Sequence, residues 1–569
     1  MPARTTSLLG VTITAATAIA QPSCPEAGLV IDQLNISINS GGLNADLDPG
    51  DRFGSAVVRI GDIDADGIDD LAVGAPRDDD GVVDGGAVHI LFLNADGSVR
   101  SEQKISATSG GWGGPAFVTE DFFGTAVAGI GDLDNDGTPD IAVGAPGVNL
   151  TGFPAGLEGA IDILFLNPDG TVKAQQRIAD GLGGFTDDLT GSEFGTDIAA
   201  IGDVDNDGVV DLAVGAPLAS TDVGEVWVLF MRPDGTIKNA RRIAPGADGV
   251  PASPNGIFFF GFGVEGLGDL DGDGLVDIAV TGPTHDGNGA IPLEGAVVLI
   301  DLATDGTPVE SAIITPEIAP LSMLPDIVST FGLDVASLGD LDQDGTTDIA
   351  VSSSDANGVA DNRVWILFLN PDRSVKGLRF FASGVGGFTG TNPATDVFGT
   401  GLGFLGDLDN DGSPSLAVGT AAFNVFSSES TIGSVWILEL DDCATLPMII
   451  QQPAPATDLD ANAALMLSVQ AVGDGTLTYQ WFFDGQALTD GPRVSGATTA
   501  SLSIDPVGAS DTGVYSVEVT NAFATATSDP AVVAVRPPAQ DCPADFNGTG
   551  TVDFFDISDF LNAFEVGCP

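Results

Sequence analysis

Six runs of bulky apolar residues punctuate the first three quarters of the chain, at 88–93, 161–166, 226–231, 297–302, 364–369 and 435–440. Their length and their β-branched and aromatic content predict strands buried on both faces. Turns such as Asn94-Ala95-Asp96-Gly97 and Asn167-Pro168-Asp169-Gly170 follow them and predict hairpins into a further strand. Two shorter apolar segments precede each run. The first is typified by Thr125-Ala126-Val127-Ala128-Gly129-Ile130. The second ends in Gly-Ala-Pro at 72–76, 142–146 and 213–217, and its copies blur at 279–283, 350–354 and 417–421. Four antiparallel strands per repeat is the pattern of a β-propeller blade.

Between the two short segments of every repeat lies the pattern D-x-D-x-D-G-x-x-D. Its acids are Asp62, Asp64, Asp66 and Asp70, then Asp132, Asp134, Asp136 and Asp140, then Asp203, Asp205, Asp207 and Asp211. The later copies supply Asp269, Asp271, Asp273 and Asp277, then Asp340, Asp342, Asp344 and Asp348, and finally Asp407, Asp409 and Asp411. Alternate aspartates on a short loop bring carboxylate oxygens to one point, and glycine at the sixth position allows a sharp turn. Hard oxygen ligands in that number suit Ca²⁺ better than Mg²⁺ or Zn²⁺. An EF-hand shares the first half of the pattern but needs an acid at position twelve, with flanking helices. Here position twelve is Val73, Val143, Val214, Val280, Val351 and Val418, in strand-like contexts. The acid sits instead at position nine, where the sixth copy has Ser415, so that site is expected to be the weakest.

A chain of 569 residues predicts several domains. Lys plus Arg total 18 against 81 acids, for a formal net charge of −63, which disfavours nucleic acid and anionic membranes as partners. Residues 1–20 read as a signal peptide: Arg4 supplies charge, 8–20 is apolar or small, and Ala18-Ile19-Ala20 offers a cleavage site. No later run is long and apolar enough to insert in a bilayer. Export brings the chain to high Ca²⁺ and permits disulfides.

A Phe-Gly pair opens each repeat, at Phe53-Gly54, Phe123-Gly124, Phe194-Gly195, Phe260-Gly261, Phe331-Gly332 and Phe398-Gly399. Phe-Gly, a calcium loop and Gly-Ala-Pro in that order resemble the FG-GAP repeats of the integrin α-chain β-propeller, over roughly residues 29–441. The integrin head has seven such units and this chain has six, so six blades are expected, with a cryptic seventh as the alternative. The sixth repeat stops after its third strand, while 29–38 looks like a spare fourth strand. Pairing them would close the ring. Cys24 and Cys443 flank those two elements, so a disulfide would lock the seam and bound the propeller at 24–443.

Residues 447–536 resemble an immunoglobulin-like domain. The segments 465–469, 479–482 and 511–515 correspond to strands B, C and F, with Trp481 as core tryptophan and Tyr515 as tyrosine corner. Val469 and Val517 stand where the usual bridging cysteines would be. The tail, 541–569, looks like half of a cysteine-flanked dockerin, a short α element with one calcium loop. Its oxygen ligands would come from Asp545, Asn547, Thr549, Thr551 and Asp556, and Cys542 and Cys568 bracket it as a candidate pair. Ile557, Phe560, Leu561 and Phe564 follow at helical spacing. Such a tail implies a cohesin-like partner, although dockerins usually carry two loops.

The chain has only two histidines, His89 and His285, and no G-x-S-x-G, P-loop or metal-binding histidine cluster. These absences weigh against an enzyme, and the resemblance to integrin α chains implies a non-enzymatic function: a secreted or cell-surface calcium-binding protein for adhesion or for binding extracellular protein or glycan. The alternatives are a component of an extracellular scaffold or polysaccharide-degrading assembly attached through the tail, or a hydrolase. In an up-and-down blade the 1–2 and 3–4 loops share one face, so the metal loops would ring a single face. The opposite face receives the long varied segments, and on it Trp112 and Phe153 are the expected ligand contacts, by analogy with the integrin head. Phe185 and Phe388, in a shared Gly-Gly-Phe-Thr context, are expected either to pack between blades or to line that face.

Overall fold

The computed structural model describes residues 27–536, without 39, 151–156, 248, 251–256, 286–294, 317–328, 356–361, 391–395, 410, 422–431, 442–446, 455, 473–476 and 522–524. Residues 1–26 and 537–569 are thus outside the described residues. With them lie the signal peptide, the tail with Asp545, Asn547, Thr549, Thr551 and Asp556, all four cysteines, and Phe153.

Residues 1–443 and 444–569 form two compact units. In the first, six four-stranded antiparallel sheets follow one another. Blade one is Val57–Gly61, Asp70–Ala75, Ala87–Leu93 and Val99–Ile105. Blade two is Val127–Gly131, Asp140–Ala145, Ala160–Leu166 and Val172–Ile178. Blade three is Ile198–Gly202, Asp211–Ala216, Glu225–Met231 and Ile237–Ile243. Blade four is Val264–Gly268, Val276–Gly282, Ala296–Leu302 and Pro308–Ile314. Blade five is Ser329–Gly339, Asp348–Asp355, Arg363–Leu369 and Val375–Phe381. Blade six takes Val397–Gly406, Ser415–Ala421 and Ser434–Leu440 from the end of the region and Val30–Ile36 from its beginning.

The first strands of the six blades touch in succession, and the sixth touches the first, so the ring is closed with six blades. Closure runs through antiparallel pairing of Val30–Ile36 with Ser434–Leu440, from Val30 opposite Leu440 to Ile36 opposite Val435. This places an N-terminal strand at the outer edge of the last blade, as the truncated sixth repeat requires. The third strands of blades one to five are buried along nearly their whole length, because each lies inside its sheet with a neighbouring blade on either face.

The Phe-Gly and Gly-Ala-Pro signatures meet between blades. Gly74 of blade one lies so close to Gly124 of blade two that a Cβ would stand 2.0 Å from the Gly124 carbonyl oxygen. Phe123 pairs with Gly86 of the preceding blade, and its ring is fully buried. The repeats thus keep glycine where backbones of adjacent blades touch, and phenylalanine where the gap behind them must be filled.

The second unit has one sheet built on Ala456–Asp460, Ala531–Arg536, Gly513–Thr520, Thr478–Phe483 and Gln486–Ala487, and another on Leu465–Ser468, Ser501–Ile504 and Val494–Ser495. Trp481 is fully buried, with its Nε1 donating to Thr499 O at 2.9 Å, and Val469 and Val517 pack in the same core. The Tyr515 hydroxyl donates to Asp511 O at 3.0 Å, the tyrosine corner expected from the sequence.

Candidate metal centres

Each Asp-rich segment links the first and second strands of its blade. In blade one, Asp62 accepts from the amides of Asp66 at 3.0 Å and Gly67 at 2.9 Å, and Asp66 accepts from Ile68 N at 2.9 Å. The same bonds recur at Asp132, Asp203, Asp269, Asp340 and Asp407. The fold of the loop is therefore written in its first aspartate. Position four takes a left-handed backbone at Ala65, Asn135, Asn206, Gly272 and Gln343. The asparagines and glycine there were a legible turn signal that the aspartate count overshadowed.

Carboxylate oxygens of Asp62, Asp64 and Asp66 lie within 4.8 Å of one another, and so do those of Asp132, Asp134 and Asp136, of Asp269, Asp271 and Asp273, and of Asp340, Asp342 and Asp344. In blade three the grouping is Asp203, Asp205 and Asp211. Asp64 Oδ1 and Asp134 Oδ1 are buried and have no hydrogen-bond partner. An orphaned carboxylate oxygen inside such a group is the feature a hard cation would satisfy, so these loops fit a divalent ion.

The ninth-position acids are buried beneath the loops. Asp70 accepts from Ile63 N and Leu93 N, both at 3.1 Å, and so ties its loop to the end of the third strand. Asp140, Asp211 and Asp348 repeat this on Leu133 and Leu166, Val204 and Met231, and Leu341 and Leu369. Burial pushes Asp70 and Asp348 up to about 7, and Asp140 and Asp211 up to about 6. In blade six, where Ser415 takes this place, the Pro414 carbonyl accepts from Leu440 N at 2.8 Å instead. That loop gains another acid, Glu439, whose carboxyl is pushed up to about 7 by burial and by Asp411, Asp32 and Asp409.

A basic side chain from the fourth strand also meets four of the loops. Arg100 pairs with Asp64 and Asp66, Lys173 with Asp134 and Asp136, Lys238 with Asp205 and Asp207, and Lys376 with Asp342 and Asp344. Each bridges positions three and five. Their signal in the sequence is Lys or Arg as the second residue of the fourth strand, which recurs in these four repeats while its partners lie more than thirty residues away.

In these four blades the bridges also place the 3–4 hairpin and the Asp loop on the same side. On the other face the expected contact Trp112 packs into the gap between two blades. It is half-buried, with its ring 4.8 Å from Phe117 and 5.2 Å from Phe123, and its Nε1 donates to Pro115 O at 3.1 Å. Trp112 caps the core between blades one and two, because the Gly-rich link folds back onto that gap. Phe185 and Phe388 are likewise buried between blades, against Phe194 and Trp227 and against Phe398 and Trp436. Among the described residues, exposed apolar side chains of that face include Ile38, Val83, Val118, Leu150, Leu182 and Val385. His89 is fully buried, with Nδ1 2.7 Å from Glu102 Oε1.

Among the described residues no helix is long and apolar enough to cross a membrane. The FG-GAP repeat family model matches residues 53–91, 123–164 and 194–229, and the immunoglobulin domain model matches 447–521. Integrin alpha-3 of Cricetulus griseus is 31% identical over 196 residues, 34% of this chain and 16% of that protein. Integrin alpha pat-2 of Caenorhabditis elegans is 31% identical over 268 residues, 45% of this chain and 20% of that protein. The chain thus aligns with a fifth or less of the length of these relatives. Among solved structures, the titin M10–obscurin-like 1 Ig complex is 26% identical, covering 16% of this chain and 96% of that one, with a TM-score of 0.15. The chain carries FG-GAP repeats homologous to those of integrin α chains, together with an immunoglobulin-like domain.

Proposed function

We propose that this is an extracellular, non-enzymatic adhesion-type protein whose propeller holds Ca²⁺ in its Asp loops and offers its loop-rich opposite face to a protein or glycan partner. The observation that carries the calcium reading is the orphaned, buried Asp64 Oδ1 and Asp134 Oδ1 inside repeated carboxylate groups. In loops one, two, three and five the first, third, fifth and ninth positions would hold the ion, and in loop six, where Ser415 stands at the ninth, the first, third and fifth would do so. Bound there, Ca²⁺ would supply the charge that lets several carboxylates share one site. The chain's own residues do the rest: the first aspartate shapes the loop, and the ninth anchors it to the third strand.

Val83, Val118, Leu150 and Leu182 come from the 2–3 loops and inter-blade links of blades one and two, and all are more than two-fifths exposed. Exposed apolar residues on scaffolded loops favour a binding role for that face. The full chain, immobilised in Ca²⁺, would be probed with a glycan array and a panel of extracellular matrix proteins. Retention of a ligand that Val83→Asp with Val118→Asp abolishes, at unchanged calcium uptake, is the expected result. Retention unaffected by that pair but lost with Asp169→Ala in a metal-face hairpin would place the partner on the wrong side of this reading.

A second reading rests on the Cys542–Cys568 segment with Asp545 and Asn547: the tail docks the propeller to a cohesin-like partner in an assembly. Deleting 541–569 would then abolish assembly while leaving ligand retention by the propeller intact.

A further inference from the structure

The fourth loop differs from the others in a way that runs across two blades. In blades one to three the third strand carries a phenylalanine near its end, Phe92, Phe165 or Phe230. The hairpin glycine of the following blade sits directly on it. A Cβ at Gly170, Gly235 or Gly306 would stand 3.2 Å from the tip of the Phe92, Phe165 or Phe230 ring respectively. A side chain at the glycine position and a phenyl ring beneath it therefore exclude one another.

At the junction of blades four and five both residues change together. Asp301 stands where the phenylalanine would be, and Arg373 stands where the hairpin glycine would be, keeping the glycine's left-handed backbone with φ +64°. With the ring gone, the Arg373 side chain enters the fourth loop and is 96% buried. Its Nε and Nη2 donate to Asp277 Oδ1 at 3.1 and 2.9 Å, and Nη2 lies 3.1 Å from Asp271 Oδ2 and 3.9 Å from Asp301 Oδ2. Its Nη1 is 3.7 Å from Glu310 at the rim. Elsewhere the basic side chain bridges positions three and five. Here it bridges three and nine, while the fourth-strand position is the exposed, apolar Val309.

We infer that the fourth loop is closed by the guanidinium of Arg373 in place of a metal ion, so that this site is a permanent, cation-independent tie between blades four and five. This rests on the calcium reading of the other loops. The basic side chains at the other four loops are a fifth to nearly two-fifths exposed and can swing off their aspartates into water, whereas Arg373 is 4% exposed and held among Asp271, Asp277 and Asp301, so here the guanidinium keeps the oxygens that a divalent ion would need. Asp301 completes the site. It is 98% buried, faces Asp271, Asp273 and Asp277, and its Oδ1 has no hydrogen-bond partner. Taking the arginine away would leave an acid-rich, buried and unbalanced group that demands an external cation.

The test is a count of Ca²⁺ bound per full-length chain, by equilibrium dialysis and native mass spectrometry. Arg373→Gly restores the residue that this turn carries in blades one to four, with the same left-handed backbone. It should bind one more Ca²⁺ than the native chain. Adding Asp271→Asn and Asp277→Asn should return the count to the native value. In the native background Asp271→Asn should leave the count unchanged, while Asp134→Asn lowers it by one. The double variant Asp301→Phe with Arg373→Gly rebuilds the pair found at the three preceding junctions and should gain the ion even if Arg373→Gly alone folds poorly. Loss of an ion on Asp271→Asn in the native chain, or no gain in either Arg373→Gly background while Asp134→Asn still loses one, would overturn the assignment. A native chain that binds no Ca²⁺, with a count insensitive to Asp134→Asn, would overturn the reading of the other loops instead.

Discussion

Glu265 is the group whose substitution most cleanly separates the electrostatics of the ring from its metal loops. Three carboxyls sit on or just before the innermost strands of consecutive blades: Asp197 immediately before that of blade three, Glu265 in blade four and Asp334 in blade five. Each reaches the next blade, where Val264 N donates to Asp197 at 2.7 Å, Ser337 N to Glu265 at 3.1 Å and Leu402 N to Asp334 at 2.7 Å. Burial first, then mutual repulsion, pushes Glu265 up to about 8 and Asp334 well above the carboxylate range, while burial alone takes Asp197 up to about 7. A carboxyl raised on folding binds its proton more tightly in the native state. Its effect on stability is absent below the unfolded value of 4.5, and stability is then lost as pH rises towards the folded value of about 8. The full shift at Glu265 would correspond to roughly 4 kcal/mol at pH 8. Water reaching the half-buried group lowers this, and about 2 kcal/mol is expected. Glu265→Gln, which keeps the acceptor for Ser337 N, should therefore stabilise the propeller at pH 8 by roughly 2 °C in Tm, and by almost nothing at pH 5. Scanning calorimetry in saturating Ca²⁺ across that range reads the difference directly. A gain that is equal at pH 5 and pH 8, or a loss that grows with pH, would refute the reasoning.

Trp112→Ala should lower the propeller transition, by about 2–3 kcal/mol, since it removes a ring packed on Phe117 and Phe123; an unchanged transition with weakened partner binding would restore it as a contact residue. Tyr515→Phe should destabilise the immunoglobulin-like domain by about 1 kcal/mol through loss of the bond to Asp511 O, read as a lower midpoint in urea with an unchanged slope. Peptide mapping of exported protein without reduction should join Cys24 to Cys443 and Cys542 to Cys568; the seam bond closes a long loop and would contribute up to about 5 kcal/mol, and crossed pairs would contradict it.

Most of the propeller was legible because its repeats state each strand six times. The runs predicted at 88–93 and 161–166 became Ala87–Leu93 and Ala160–Leu166, and the spare segment at 29–38 became Val30–Ile36 on the last blade. Periodicity fixes such elements because a strand buried on both faces leaves no polar gaps. The immunoglobulin-like core was readable for a similar reason: Trp481 and Tyr515 lie in short alternating strands where few roles are open to a large aromatic. What the sequence hid was pairing across blades. Arg373 looks like a solvated turn residue until Asp277, ninety-six positions earlier, is brought to 2.9 Å. Trp112 looked exposed because its link is rich in glycine, yet that flexibility lets the link fold back over Phe123. Glu439 stands beside Ser415 because the second and third strands of blade six pair with those two residues opposite one another, a register that the sequence does not state.

The central claim, that the propeller depends on calcium in its Asp loops, is tested most directly by calorimetry of the full chain with and without excess chelator. Sites with Kd of about 10⁻⁴ to 10⁻³ M would each contribute roughly 0.4–1.4 kcal/mol at about 1 mM Ca²⁺, and several together would match much of a domain's marginal stability. The account predicts that chelation moves the propeller transition to lower temperature and leaves the immunoglobulin-like transition in place. A propeller transition that stays where it was in excess chelator would contradict it.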